Sequence, residues 1–398
     1  MANKISRVFF VVFLVYYAWY QQAIGYIPRL STLLLLGLVV FSVTDILINK
    51  YNYRSLITGE MVVWAAFIIY ALLAGMLLAA DKDLVITAVK MMSKYLLIWI
   101  YMIYISKRDN DNHFIICSLY IMTWFQIVSA LIRPYYIANR LTLGAGNNAN
   151  DYANFLLIGL IVTIILSVRS NNRFFHLINI ILTFEIVYQI IMTASRQGFI
   201  GMIFVLIGSI FISIDKQTIA RRFRNHKQAL VIAFVVVVVS FLVSYFMDQS
   251  FVYKRLIASF LSGQFSGRDK LFYESIKVFM DNPIFGVGLD NFRVYSTIKQ
   301  YSHITWMELL STTGLVGFSI YLVFFIMIGK FSWNSFIQNR TVKTKRDKYL
   351  NGSAFLVFLT VFILSFVTIH FYQMSSTLLI GIILSQKYAK LQAHWVRS

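Results

Sequence analysis

The chain has 398 residues, 59% hydrophobic and only 13% charged, with three prolines. Apolar runs near twenty residues recur from end to end. This excludes a soluble globular protein and describes a polytopic α-helical membrane protein. The formal charge of +20 fits basic loops on one side of a membrane rather than a nucleic-acid surface, and the single cysteine, Cys117 within an apolar run, excludes a disulfide framework.

Lys4 and Arg7 precede the first apolar run in the manner of a signal peptide. No small-residue cleavage site follows, so the run is kept as a membrane helix. Helices that cross the membrane are predicted near residues 8–22, 30–48, 61–80, 86–106, 113–132, 151–168, 174–193, 198–214, 229–247, 303–329, 350–369 and 374–387. The expected fold is therefore all-α. It is one integral membrane domain over residues 1–398, a bundle of about twelve transmembrane helices, with residues 248–302 as a long extracytoplasmic helical loop. An even number of spans puts both termini on one side. The segments on that side hold 22 Lys and Arg against 12 on the other, which sets both termini in the cytoplasm.

Seven of the outer bases crowd into one loop: Lys254, Arg255, Arg268, Lys270, Lys277, Arg293 and Lys299. A long loop translocates despite its charge, so this is either a solvated helical loop or an anion site facing outward. The halves of the chain show no internal repeat and no long central cytoplasmic loop, two features of the common twelve-span secondary transporter.

Several polar residues interrupt the apolar pattern. Lys90 and Lys94 lie one helical turn apart in the fourth span, and Glu185 falls mid-span in the seventh. A central charge costs about 2.5–3.5 kcal/mol, so it should face a partner or a wet cavity, whereas the lysines, nearer the outer end, also have the option of snorkelling. An outer loop carries Arg133, Arg140 and the segment 147–154, Asn-Asn-Ala-Asn-Asp-Tyr-Ala-Asn. Amides and a carboxylate at a helix start are most simply a cap, but they also suit sugar hydroxyls, with Arg140 and Asn150 as candidates. Arg196 lies in Thr193-Ala194-Ser195-Arg196-Gln197-Gly198, the tight turn after the seventh span. It either snorkels to lipid phosphates or faces an anion beside a helix start.

The most informative stretch is 266–317. Gly267-Arg268-Asp269 opens it. An amphipathic helix is expected over 269–281, with Phe272, Ile276, Phe279 and Met280 on the apolar face and Lys270, Glu274, Lys277 and Asp281 on the other. Asn282-Pro283 stops the helix and Gly286-Val287-Gly288 gives a flexible corner. His303 opens the next apolar run, which carries Glu308, Gly314 and Gly317. A lone histidine there is either an interfacial cap or a base, since an ordinary pKa of about 6.5 suits proton removal from a hydroxyl. Glu308, five positions on, is not stacked on the same face and is available to pair with an arginine. Histidines do not cluster at metal-ligand spacing, and no Gly-rich nucleotide loop or serine-nucleophile motif appears.

The order Gly267-Arg268, amphipathic helix, Pro283 to Gly288 turn, His303 and Gly314 to Gly317 resembles the O-antigen polymerase/ligase family, the Wzy-type bacterial polysaccharide polymerases and their relatives. Segment 147–154 and Ser195-Arg196 agree as well; the residue after His303, often Asn in the family, is Ile304 here. The resemblance implies a GT-C-like glycosyltransferase that joins oligosaccharide repeat units carried on undecaprenyl pyrophosphate, at the outer face of a bacterial plasma membrane. It implies catalytic roles for His303, Arg268 and Arg196, no metal and no cofactor. Arg140, Asn150, Arg293 and Glu308 are the substrate-binding candidates. The expected partners are the lipid-linked donor and acceptor, the membrane and a chain-length regulator protein, with no nucleic acid. A ligase passing a finished glycan to another acceptor, and a twelve-span flippase of lipid-linked glycans, are the alternatives.

Overall fold

The computed structural model describes residues 2–25, 27, 29–144, 148–213, 268–338 and 345–395. The expected span 229–247, together with Lys254, Arg255, Gly267 and Asn147, lies outside these residues. The described chain is an all-α polytopic bundle. Helix α1 (Ala2–Val15) continues through a π-helical stretch, Tyr16–Tyr20, and one more turn, Gln21–Ala23. Then follow α2 (Leu30–Ile48), α3 (Gly59–Leu78), α4 (Lys82–Asp109) and α5 (His113–Ile132). A hairpin of β1 (Tyr135–Ile137) and β2 (Arg140–Thr142) leads to α6 (Ala149–Arg169), α7 (Arg173–Met192) and α8 (Arg196–Ser213). After these come α9 (Arg268–Asp281), the short α10 (Phe292–Tyr295), α11 (Thr305–Gln338), α12 (Lys345–Leu364) and α13 (Met374–Trp395).

Among the described residues seven helices are long and apolar enough to cross a membrane: α2, α3, α4, α5, α6, α7 and α11. α8 and α12 are shorter apolar helices. α6 is the axis of the bundle, with 78% of its apolar window buried against 22% for α2. Close packing of α8 on α6 needs Gly198, because a Cβ there would lie 2.6 Å from that of Ala153. The hairpin was not expected. Its turn places Ala138 and Asn139 at φ 48° and 61°, the twist that two-residue hairpin loops require.

One end of the bundle collects four of the ion pairs among the described residues. Arg7 meets Asp109 at 2.6 Å, Arg108 pairs with Asp45, and Arg169 lies 3.3 Å from Asp111. Lys387 pairs with Glu60, whose second oxygen accepts from the Tyr388 hydroxyl at 2.6 Å. These contacts join α1 and α2 to the end of α4, α6 to the turn before α5, and α13 to the start of α3. The two mid-span charges take neutral partners: Glu185 accepts from Gln189 at 2.8 Å, and Lys94 donates to Thr32 at 3.1 Å.

The opposite end is built around a break. The run expected as one span over 303–329 is a helix from Thr305 to Gln338 that loses helical geometry at Gly314, φ 61° and ψ −168°. That conformation is essentially open to glycine only. The break frees backbone groups that a membrane protein cannot leave unpaired, and the turn 283–288 takes them up. The amides of Val287 and Gly288 donate to the carbonyls of Ser311 and Thr312 at 3.1 and 2.9 Å, while the amides of Leu315 and Val316 donate to Pro283 and Ile284 at 2.9 and 3.2 Å. The Tyr70 hydroxyl donates to Thr313 O at 2.7 Å. Asn291 adds a second anchor: its amide donates to Asp81 O at 2.9 Å and accepts from Asp81 N at 2.8 Å.

Helix α9 forms where expected and stops before Pro283, but its face is rotated. The buried line is Leu271, Ser275 and Val278; Phe272, Ile276 and Phe279 are half-buried and Met280 is exposed. The cause is the partner surface, since Leu271 and Val278 pack with Val287 and Phe292 of the docked loop.

A Cβ on residue 314 would stand 2.3 Å from Ile284 O. Gly314→Ala is therefore expected to destabilise the protein by about 2 kcal/mol or more and to release the 283–288 turn. Thermal unfolding in detergent, with proteolysis of that turn as a second readout, checks this.

Candidate functional site

The docked loop carries His303 to the mouth of α11. The helix begins at Thr305 rather than at His303, which instead adopts a left-handed conformation, φ 63°. Its ring lies 4.4 Å from that of Tyr301, centroid to centroid. Three bonds fix the backbone on its far side: Thr305 N donates to Ser365 O at 2.9 Å, Thr305 Oγ1 to Thr368 O at 2.6 Å, and His370 N to Thr305 Oγ1 at 3.1 Å. On its near side Glu308 is fully buried and its Oε2 accepts from Ser302 N at 2.8 Å. Glu308 thus holds the His303 turn through Ser302, while its Oε1 is buried with no hydrogen-bond partner among the described residues.

Arg268 is the first residue of α9 and is half-buried. Burial and the nearby Arg268 charge together hold the His303 imidazole down at about 4. The ring is neutral at physiological pH and accepts a hydrogen bond at one nitrogen. Burial also raises the Tyr301 phenol, with Asp151 adding to the rise and Arg268 opposing it. Arg293, on α10, pairs with Asp290. Burial pushes that aspartate up to about 6 even though Arg293 pulls the other way.

A second group forms where α6 and α8 begin. Asn148 caps α6 by accepting from Asn150 N at 2.9 Å, which is the capping role the segment suggested. Arg140 donates from Nε to Thr193 O at 2.9 Å and from Nη2 to Asn150 Oδ1 at 2.7 Å. Ser195 Oγ donates to the same oxygen at 2.9 Å. Arg140 and Asn150 therefore brace the turn that presents Arg196, the half-buried first residue of α8. The Arg268 charge is near enough to act on His303. Asp151, beside the second group, acts electrostatically on Tyr301, whose ring neighbours that of His303; neither is a sequence-derived candidate. Asp151 lay within the segment singled out; Tyr301 was hidden among 24 tyrosines.

Residues 181–322 match the family model described as O-Antigen ligase. The matched region takes in Arg196, Arg268, Arg293, His303 and Glu308, while Arg140, Asn150 and Asp151 precede it. One chain of a solved complex, titled for the structural coordination of polymerization and crosslinking by a peptidoglycan synthase complex, aligns with a TM-score of 0.48 and 12% identity. The alignment covers 84% of this chain and 97% of that one. No curated protein matches the sequence. Among the described residues no three of His, Cys, Asp or Glu gather as a metal-binding group.

The lowered His303 value has a defined sign. The unfolded chain takes up a proton near pH 6.5, which the folded site refuses until about 4. His303 thus contributes stability that is complete above pH 6.5 and is lost as pH falls toward 4. Imidazole carbon shifts of labelled protein should give a midpoint near 4. Arg268→Ala should raise that midpoint but leave it below the ordinary 6.5, because burial remains. A midpoint at or above 6 in the unaltered protein contradicts this geometry.

Proposed function

We propose that the protein is a membrane glycosyltransferase that polymerises undecaprenyl-pyrophosphate-linked oligosaccharide repeat units into a cell-surface polysaccharide. The observation that carries the reading is a guanidinium, Arg268, close enough to act on a half-buried imidazole, His303, within the region that matches the O-Antigen ligase family model. The acceptor hydroxyl attacks the anomeric carbon of the donor glycan, and the lipid pyrophosphate leaves. Arg268 and Arg196 neutralise the charge growing on the leaving group, which is the largest electrostatic demand of the step. His303 orients or deprotonates the acceptor hydroxyl. Arg140 and Asn150 hold the Arg196 turn, and Arg293 faces the glycan from the loop.

In this reading the chain spans a bacterial plasma membrane about twelve times with both termini cytoplasmic, and the site faces outward. The excess of basic residues on the side of the termini supports that orientation. No metal or cofactor takes part, and a chain-length regulator is the expected protein partner. Ligation of a finished glycan to another acceptor is the second reading, favoured by the description of the matching family.

Cells carrying intact protein or His303→Ala at equal abundance separate these readings by the size of their glycans. Stalling at one repeat per lipid outside the membrane is the expected result. Long chains retained on the carrier indicate ligation, and an unchanged distribution overturns any role for His303. Activity is also expected to survive EDTA; complete loss restored by magnesium contradicts the metal-free mechanism.

A further inference from the structure

Between the two groups runs a chain of amides that has one direction. Gln197 Nε2 donates to Asn154 Oδ1 at 3.3 Å, Asn154 Nδ2 donates to Gln373 Oε1 at 3.1 Å, and Gln373 Nε2 donates to Asp151 Oδ1 at 3.2 Å. It crosses from α8 to α6 to the turn before α13 and back to α6. Each amide gives its donor forward, so the last member can only accept, and that member is a carboxylate. Asn154 and Gln197 are 1% and 5% exposed, whereas Asp151 is only half-buried. Among the described residues its Oδ2 accepts no hydrogen bond. The groups on which the Asp151 charge acts are phenols: Tyr17 from the π-helical stretch after α1, Tyr95 from α4 and Tyr301 from the loop. Tyr301 also feels Arg268, and its ring lies tilted against that of His303 at 4.4 Å. A substrate held at Arg268 and His303 therefore has Asp151 on the other side of Tyr301.

We propose that Asp151 is a further catalytic residue of the glycosyl transfer, the carboxylate that binds the acceptor hydroxyl and takes its proton, with Gln373 as its positioning residue. The inference rests on the glycosyl-transfer reading above. As the acceptor oxygen bonds to the anomeric carbon, its proton passes to Asp151. The bond from that carbon to the pyrophosphate oxygen breaks, and the pyrophosphate leaves with the electron pair. Charge decides between the two bases. A proton arriving on His303 would stand beside the Arg268 cation, whereas one arriving on Asp151 removes a half-buried negative charge. His303 then serves to orient the hydroxyl by accepting its hydrogen bond until transfer.

The test uses the purified full chain in detergent with a synthetic polyprenyl-pyrophosphate-linked repeat unit as donor and acceptor. Asp151→Asn keeps the shape and still accepts from Gln373, so it folds as the unaltered protein does. It should lower kcat by about 10²-fold or more while KM and the thermal midpoint stay nearly unchanged. Asp151→Glu should recover part of the rate, and Gln373→Leu should give a smaller fall in kcat. A kcat for Asp151→Asn near that of the unaltered protein, or a change confined to KM, overturns the assignment. If Arg268→Ala and His303→Ala abolish transfer but Asp151→Asn does not, the Asp151 role alone fails. If all three variants leave the rate intact, the glycosyl-transfer reading falls with it.

Discussion

The functional end of the bundle depends on one constraint, that backbone amides and carbonyls inside a membrane protein must find partners within the protein. Gly314 interrupts α11 and leaves such groups open on both sides of the break. The turn 283–288 fills them with four main-chain bonds, and Tyr70 closes a fifth. The loop is thereby spliced into a helix. Everything that follows in the chain up to Thr305 is placed by that splice and by Asn291 on Asp81: the α10 turn, Tyr301, and His303 in its left-handed conformation.

Electrostatics then sets what the placed groups can do. Burial keeps His303 neutral and the nearby Arg268 charge reinforces it, so the same cation that suits a phosphate also favours the neutral state of its neighbour. Two buried carboxyls have structural partners instead: Glu308 the Ser302 amide, Asp290 the Arg293 guanidinium. Asp151 is different, since it is only half-buried and the one hydrogen bond it accepts among the described residues comes from a side-chain amide, that of Gln373.

Much of this was legible in the sequence because it is local. Twenty-residue apolar runs locate the helices, Pro283 ends α9, and the Asn148 cap starts α6 where its segment indicated. The parts that were not legible depend on partners far along the chain. Gly314 is legible only as half of the Gly314 to Gly317 motif, and nothing in that spacing tells that the turn thirty residues earlier enters a break there. The buried face of α9 is shifted because Val287 and Phe292, not the periodicity alone, choose it. Gln373 and Asp151 are 222 positions apart, and no spacing rule links them.

The splice also separates what must be kept from what is open to change. Its bonds run from main chain to main chain, so they ask nothing of the side chains at Ile284, Phe285, Leu315 and Val316, provided that Gly286 and Gly314 remain. Ile284 and Phe285 are 55% and 50% exposed. The exposed side chains of this turn can therefore change residue by residue while its anchorage persists, so the surface it presents is free to vary without unseating the loop.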